Sequence, residues 1–166
     1  KGTRLQRIYG DLDLLVAECL NRRLWDSLSA SELAAVASGM TFESRMSDEP
    51  PAPRMPNGKT HEVAQQMLDV WGEIDQLERR HKVGYGRRPD FTFASAVFAW
   101  CEGASLDLTL SQADIAAGDL VRAIKQLIDL VAQIASATES AELRSTARKA
   151  LDGLRRGVIE QSTAIG

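Results

Sequence analysis

The stretch Ala117–Ala135, AGDLVRAIKQLIDLVAQIA, decides the fold class. Advancing about 100° per residue, Leu120, Ile124, Leu127, Ile128, Leu130, Val131 and Ile134 gather on one arc of roughly half the circumference. Arg122, Lys125, Gln126, Asp129 and Gln133 fill the opposite arc, broken only by Ala132. This is an amphipathic helix with a broad apolar face. Gly118 frees the backbone just before Asp119, the expected N-cap by residue type. Arg122, Gln126, Asp129 and Gln133 stand one turn apart in series, a ladder about 16 Å long. The ladder offers donors and acceptors with little net charge. It suits hydrogen bonding to bases or sugars of a single strand better than phosphate clamping, which favours more Lys and Arg. An ordinary solvated face has the same periodicity, so periodicity alone leaves both readings open.

The same spacing recurs along the chain. GDLDLLVAECLNRR (Gly10–Arg23) sets Leu12, Leu15, Val16, Cys19 and Leu20 at helical intervals, with Asp11 placed to cap. Leu24, Trp25 and Leu28 then make a hydrophobic turn. Ser29 or Ser31 caps the next helix, which Gly39 is expected to end. Residues 47–58 hold four of the five prolines and read as a Pro-rich loop inserted between helices. A long helix is expected from Thr60 to about Val83, with Val63, Met67, Val70, Trp71, Ile74 and Leu77 as its stripe. GYGRRPD (Gly84–Asp90) breaks it. Phe91, Ala94, Val97, Phe98 and Cys101 mark another helix, terminated by Gly103. A short helical piece covers Leu108–Ala116. The last helix runs from Glu139 to about Thr163, with Leu143, Ala147, Ala150, Leu151, Leu154, Val158 and Ile159 on one side. No stretch alternates as a strand does. The expected fold is all-α: a helical bundle of about six or seven helices with a Pro-rich loop insertion.

Composition narrows the function classes. The 166 residues suit a single domain, 1–166, with 44% apolar and 26% charged residues. Net charge is −3 and the pI about 5.5. A stand-alone nucleic-acid binder is more often basic, so any such role is local or belongs to a larger protein. Cys19 and Cys101 lie far apart within apolar helical patterns and read as buried thiols of a reducing cytoplasm. No apolar run reaches the length of a membrane span, and no membrane partner is expected. KGTRLQRIYG carries neither a signal peptide nor an initiator Met, and the chain is expected to be a fragment of a longer protein. His61 and His81 have no Cys or carboxylate at metal-ligand spacing. The glycines of GYGRRPD precede no Lys-Ser/Thr, as a phosphate loop requires. No nucleophile sits beside a base in a recognisable arrangement, and Asp11, Asp13, Asp48 and Glu49 read as caps and loop charges. By itself this chain is not expected to be an enzyme.

Several ordered motifs resemble a known family. FTFASAVFAWCEGASLDLTL followed by GDLVRAIKQLIDLVAQIA resembles the C-terminal helical (DSHCT) domain of DExH-type superfamily 2 RNA helicases. The matching elements are Trp100, Gly103-Ala104-Ser105, Asp114 and Gly118-Asp119-Leu120-Val121-Arg122. DLLVAECLNRRLWDSLSASELAAVASGMTFESR is similar to the family's opening helices and its Phe-Glu step, here Thr41-Phe42-Glu43. The resemblance runs from about Leu5 to Thr163, and AVFAWCEGAS and GDLVR look like the bacterial HelY-type branch.

The resemblance implies a parent in which two RecA-like domains bind ATP and Mg and hydrolyse the nucleotide. Neither group is expected in this chain. It further implies that the helical region closes a ring around single-stranded RNA, with DNA as the alternative, and that one helix lines the channel. The helix from Gly118 is the expected channel helix. Its candidate nucleic-acid contacts are Arg122, Lys125, Gln126, Asp129 and Gln133, with Glu43, Arg87 and Arg88 as further candidates outside it. Gln126 stands where eukaryotic members commonly carry Arg, and Ser44 where some members carry a second Glu. The competing reading is a scaffolding bundle that packs on the RecA-like core or recruits a nuclease or other RNA-degradation partner. In that case the informative surfaces are residues 47–58 and the loop bearing Arg87 and Arg88, whose charges are otherwise plain solvated loop charges.

Overall fold

The computed structural model describes residues 14–42, 55–81, 88–113 and 117–156. Among these residues it contains seven α-helices and no strand: α1 Leu14–Asn21, α2 Ala30–Thr41, α3 Gly58–His81, α4 Ala94–Cys101, α5 Leu106–Ala113, α6 Ala117–Ala137 and α7 Ala141–Leu154. The all-helical expectation holds. α2 is the hub, touching α3, α4, α6 and α7; α1 packs on α3, α5 on α4, and α6 on α7.

α2 is central because its residues are small. Every position from Leu33 to Gly39 is buried, including Ala34, Ala35, Ala37 and Ser38. A helix enclosed on all sides needs short side chains if its neighbours are to approach closely. Its start is the expected one: Ser29 caps, its hydroxyl accepting from Glu32 N–H at 3.3 Å while Glu32 accepts from Ser29 N–H at 2.8 Å. This is a complete capping box. Its end differs from expectation. Gly39 does not stop the helix, which continues to Thr41. A Cβ on Gly39 would lie 2.4 Å from Phe91 Cε1, so this glycine makes room for an aromatic ring inside the bundle.

Phe91 occupies that space from outside a helix, another departure. α4 begins at Ala94, and the preceding residues form a turn in which Asp90 N–H donates to Gly39 O at 2.8 Å and Thr92 N–H to Asp90 Oδ1 at 3.0 Å. Phe93 stacks on Phe42 with ring centroids 4.7 Å apart. Both segments flanking the Phe91 pocket are thereby fixed to α2.

α3 starts at Gly58, inside the expected loop, because Asn57 caps it: Asn57 Oδ1 accepts from Thr60 N–H at 2.8 Å. Val63, Met67, Val70 and Ile74 are buried as the stripe predicts, but Leu77 is 54% exposed. α1 and α2, its partners among the described residues, have 8 and 12 residues against 24 in α3, and the stripe outruns the described surface that covers it. α5 begins at Leu106, two residues before the expected start, since Ser105 Oγ accepts from Leu108 N–H at 3.2 Å.

α6 begins at Ala117, which places Asp119 in the first turn and not at the N-cap. There its carboxylate still faces the positive end of the helix dipole. Residues 138–140 join α6 to α7, and so short a link makes the two helices antiparallel neighbours. Ser140 caps α7, accepting from Leu143 N–H at 3.1 Å, so α7 starts after Glu139. Leu143, Ala147, Ala150, Leu151 and Leu154 are buried as expected. The helix closes at Leu154, short of the expected run to Thr163, with Arg155 as its C-cap donating its N–H to Leu151 O. Val158, Ile159 and Thr163 lie outside the described residues, as does Asp11. At the far end of α7, a Cβ on Gly153 would meet Cys101 Sγ at 2.7 Å. Beside it Trp100 Nε1 donates to Leu154 O at 3.3 Å, and the Arg156 guanidinium lies 4.0 Å from the Trp100 ring centroid.

Candidate nucleic-acid interface

α6 divides as its sequence says. Leu120, Ile124, Leu127, Leu130, Val131 and Ile134 are at most 2% exposed and Ile128 is 9% exposed. Burying each such side chain contributes about 2 kcal/mol, so this face holds the helix in place against α2 and α7. The opposite face does none of that. Arg122, Gln126 and Asp129 are exposed, while Lys125 and Gln133 are half-buried at its edges. Four of the five, Arg122, Gln126, Asp129 and Gln133, share one line along the helix, with Lys125 to one side.

The only ion pair on this face among the described residues joins Arg122 Nη1 to Asp119 Oδ1 at 3.6 Å, with both side chains largely in water. Exposed pairs of this kind contribute at most about 1 kcal/mol. The pair leaves Arg122 free to exchange partners. With Lys125 and Asp129 added, the face carries two cations and two carboxylates, a hydrogen-bonding surface of nearly zero net charge.

The remaining candidates are not gathered here. Arg88 is exposed in the segment that leads into α4, a different element from the ladder. Glu43 and Arg87 lie outside the described residues. His61 is exposed, and no group of three or more His, Cys, Asp or Glu side chains among the described residues is arranged to hold a metal. Neither Cys19 nor Cys101 is in a disulfide. Burial pushes the Cys101 thiol up, against the depressed value that a nucleophilic cysteine needs. No described helix is long and apolar enough to cross a membrane.

A second polar surface was missed by reading the last helix for its apolar stripe alone. Residues 141–156 carry five cations, Arg144, Arg148, Lys149, Arg155 and Arg156, against two anions, Glu142 and Asp152, in a chain whose net charge is −3. The signal was present in the sequence. Two of these cations are used internally. Arg144 donates to Thr138 O at 2.7 Å and Ala135 O at 3.3 Å, satisfying carbonyls at the end of α6. Arg156 donates to Trp100 O at 2.9 Å and also to Ala104 O. Arg148, Lys149 and Arg155 are exposed.

An all-helical bundle is the architecture to which the resemblance in the motifs pointed. The chain matches the DSHCT (NUC185) domain over residues 1–162 and belongs to that family. Among its relatives, the protein named "Probable helicase HelY" of Mycobacterium leprae (strain TN) is 35% identical over 168 aligned residues, 95% of this chain and 18% of that protein. The protein of the same name in Mycobacterium tuberculosis (strain CDC 1551 / Oshkosh) is 34% identical over the same shares. These names bear out the likeness to the HelY-type branch. The chain spans 18% of the length of these curated relatives.

Proposed function

We propose that this chain is an accessory domain of an ATP-dependent DExH-type RNA helicase, and that α6 lines the path of a single strand. The domain contributes to unwinding and translocation; ATP and Mg act in the RecA-like core of the same polypeptide, in the cytoplasm. The observation that carries the reading is the division of α6. One face is buried almost completely, and the other holds Arg122, Gln126 and Asp129 in water with no packing task. A near-neutral ladder suits a helix that a strand passes, because it offers hydrogen bonds to bases and sugars without a dense row of phosphate-binding cations.

The test is made in the full-length parent. Arg122→Ala combined with Gln126→Ala is expected to slow strand separation more than it slows ATP hydrolysis. Equal unwinding by variant and parent overturns the role of α6. A second reading, a bundle that only packs on the helicase core or recruits a nuclease, draws on Leu77 and Leu108, which are 54% and 49% exposed. RNA crosslinks confined to residues other than 118–133 favour that reading; crosslinks within that range favour the first.

A further inference from the structure

We propose that the solvent side of α7 is a second nucleic-acid contact, an electrostatic strip built on Arg148 and Arg155 that takes the phosphodiester backbone of a single strand. The inference rests on the reading of the chain as a nucleic-acid-contacting domain, but it concerns a different helix and a different chemistry.

The geometry begins with spacing. Seven residues separate Arg148 from Arg155, two helical turns, which puts them on nearly one line about 10 Å apart. Arg155 keeps helical dihedrals, φ −82° and ψ 0°, so the line continues through the end of the helix. Arg144 begins the same line one turn earlier, though its guanidinium is turned to the carbonyls of α6. Lys149 flanks it.

Pairing sets this helix apart. Of the four other exposed arginines among the described residues, three have carboxylates beside them: Arg22 with Glu73 at 2.8 Å, Arg23 with Asp26 at 2.8 Å, Arg122 with Asp119; Arg88, the fourth, stands alone and outside any helix. Among the described residues none of the five cations of residues 141–156 is in an ion pair. Even Asp152, one turn beyond Arg148, makes no such pair with it. The result is a concentrated positive field on an acidic chain, complementary to a polyanion.

The composition of the strip selects the polyanion. The exposed residues of α7 are Ala141, Glu142, Ser145, Arg148, Lys149 and Asp152, followed by Arg155, with no aromatic or large aliphatic side chain among them. A protein partner draws its affinity from such anchors. Phosphate contacts need only cations that water and salt leave accessible. α6 and α7 thus divide the work. The ladder on α6 offers hydrogen bonds with little charge, and the strip on α7 offers charge with little else.

The test uses the 166-residue chain and a fluorescein-labelled 20-nucleotide oligo(U), with binding followed by anisotropy between 50 and 200 mM salt. Arg148→Ala with Arg155→Ala is expected to weaken binding on the order of tenfold near 0.1 M salt, and to reduce the slope of log K against log salt by about 1.4, two single-strand phosphates. Arg148→Lys with Arg155→Lys is expected to keep most of that slope. Asp152→Asn is expected to strengthen binding about two- to threefold by removing the nearby carboxylate; damage to the fold would not produce a gain. Arg122→Ala with Gln126→Ala is expected to alter the slope by no more than one phosphate, about 0.7. An unchanged slope in the double alanine variant overturns the strip, as does the absence of binding by the unmodified chain at 50 mM salt. Polyglutamate of equal charge that binds as tightly as oligo(U), and loses affinity in the same variant, overturns the choice of phosphate. The α6 reading fails on the unwinding measurement, and the strip fails on the salt slope, so either can fall alone.

Discussion

α2 and α6 are both helices of the bundle, yet their residues answer to different constraints. α2 has no spare surface from Leu33 to Gly39, and apart from Leu33 and Val36 that stretch is alanine, serine and glycine because four neighbours press on it. α6 is anchored by seven large aliphatic side chains along one face and leaves the other unused by the fold. Shape limits the first helix, and only its buried half limits the second. Changes that enlarge α2 should therefore be costly anywhere along it, while changes to α6 should divide sharply by face.

The largest expected effect is in α2. Gly39→Val should destabilise the fold by about 3 kcal/mol, since its Cβ would overlap the Phe91 ring and close packing cannot absorb the volume. Chemical denaturation measures the loss. Combining it with Phe91→Ala should give a total well below the sum of the two single changes, because both act on one contact. Simple additivity would show that the tight approach is not what fixes this glycine.

Next comes the contrast within α6. Ile124→Ala should cost about 3 kcal/mol, whereas Gln126→Ala, two residues on, should stay within about 0.5 kcal/mol. Comparable losses would break the division of the helix on which the proposed function depends.

A smaller effect is expected where α2 begins. Burial pushes the Glu32 carboxyl up, but hydrogen bonds from Ser29 N–H and from Asn57 Nδ2, the latter at 2.9 Å, more than offset this and hold it below its ordinary value of 4.5. A carboxyl lowered in the fold contributes stability above its unfolded pKa and loses it as pH falls through the folded one. Glu32→Gln should therefore reduce stability at neutral pH by about 1 kcal/mol, the usual worth of such a cap. The difference from the parent should shrink below about pH 4.5, which denaturation at several pH values will register. A difference independent of pH would mean that the charge on Glu32 does not matter.

The smallest effect concerns two helix ends with the same hydrogen bonds. At the end of α1, Leu24 N–H donates to Cys19 O and Arg23 N–H to Leu20 O; at the end of α4, Ala104 N–H donates to Ala99 O and Gly103 N–H to Trp100 O. Both are Schellman motifs. Gly103 takes the left-handed position at φ 109°, but at the end of α1 that position belongs to Arg23 at φ 58°. Arg23→Gly should stabilise the fold by about 0.5 kcal/mol, after loss of its exposed pair with Asp26. A destabilised variant would assign more weight to that pair than surface pairs usually carry.

The sequence was most legible where one face decides everything. All seven apolar positions of α6 were readable because large aliphatic residues recur at the helical period, and Ser29 and Gly103 carry local signals that need no distant partner. Gly39 was not readable in the same way. Whether a glycine ends a helix or admits a ring depends on what lies across from it, here a residue 52 positions further on. Leu77 failed for a related reason: periodicity identifies a stripe but not the length of the surface that covers it. The ladder itself was legible as geometry. Its employment was not, since a wet face looks alike to periodicity whether or not a strand passes it.

Arg156 links the end of the described chain to a turn more than fifty residues earlier. It lies over Trp100 and donates to the carbonyls of Trp100 and Ala104, while Trp100 donates back to Leu154 O. The last turn of α7 and the turn that closes α4 therefore have no independent way to open. In native-state hydrogen exchange the amides of Gly103, Ala104 and Arg155 should show one common opening free energy and lose protection together. Replacing Arg156 should separate them into two clocks.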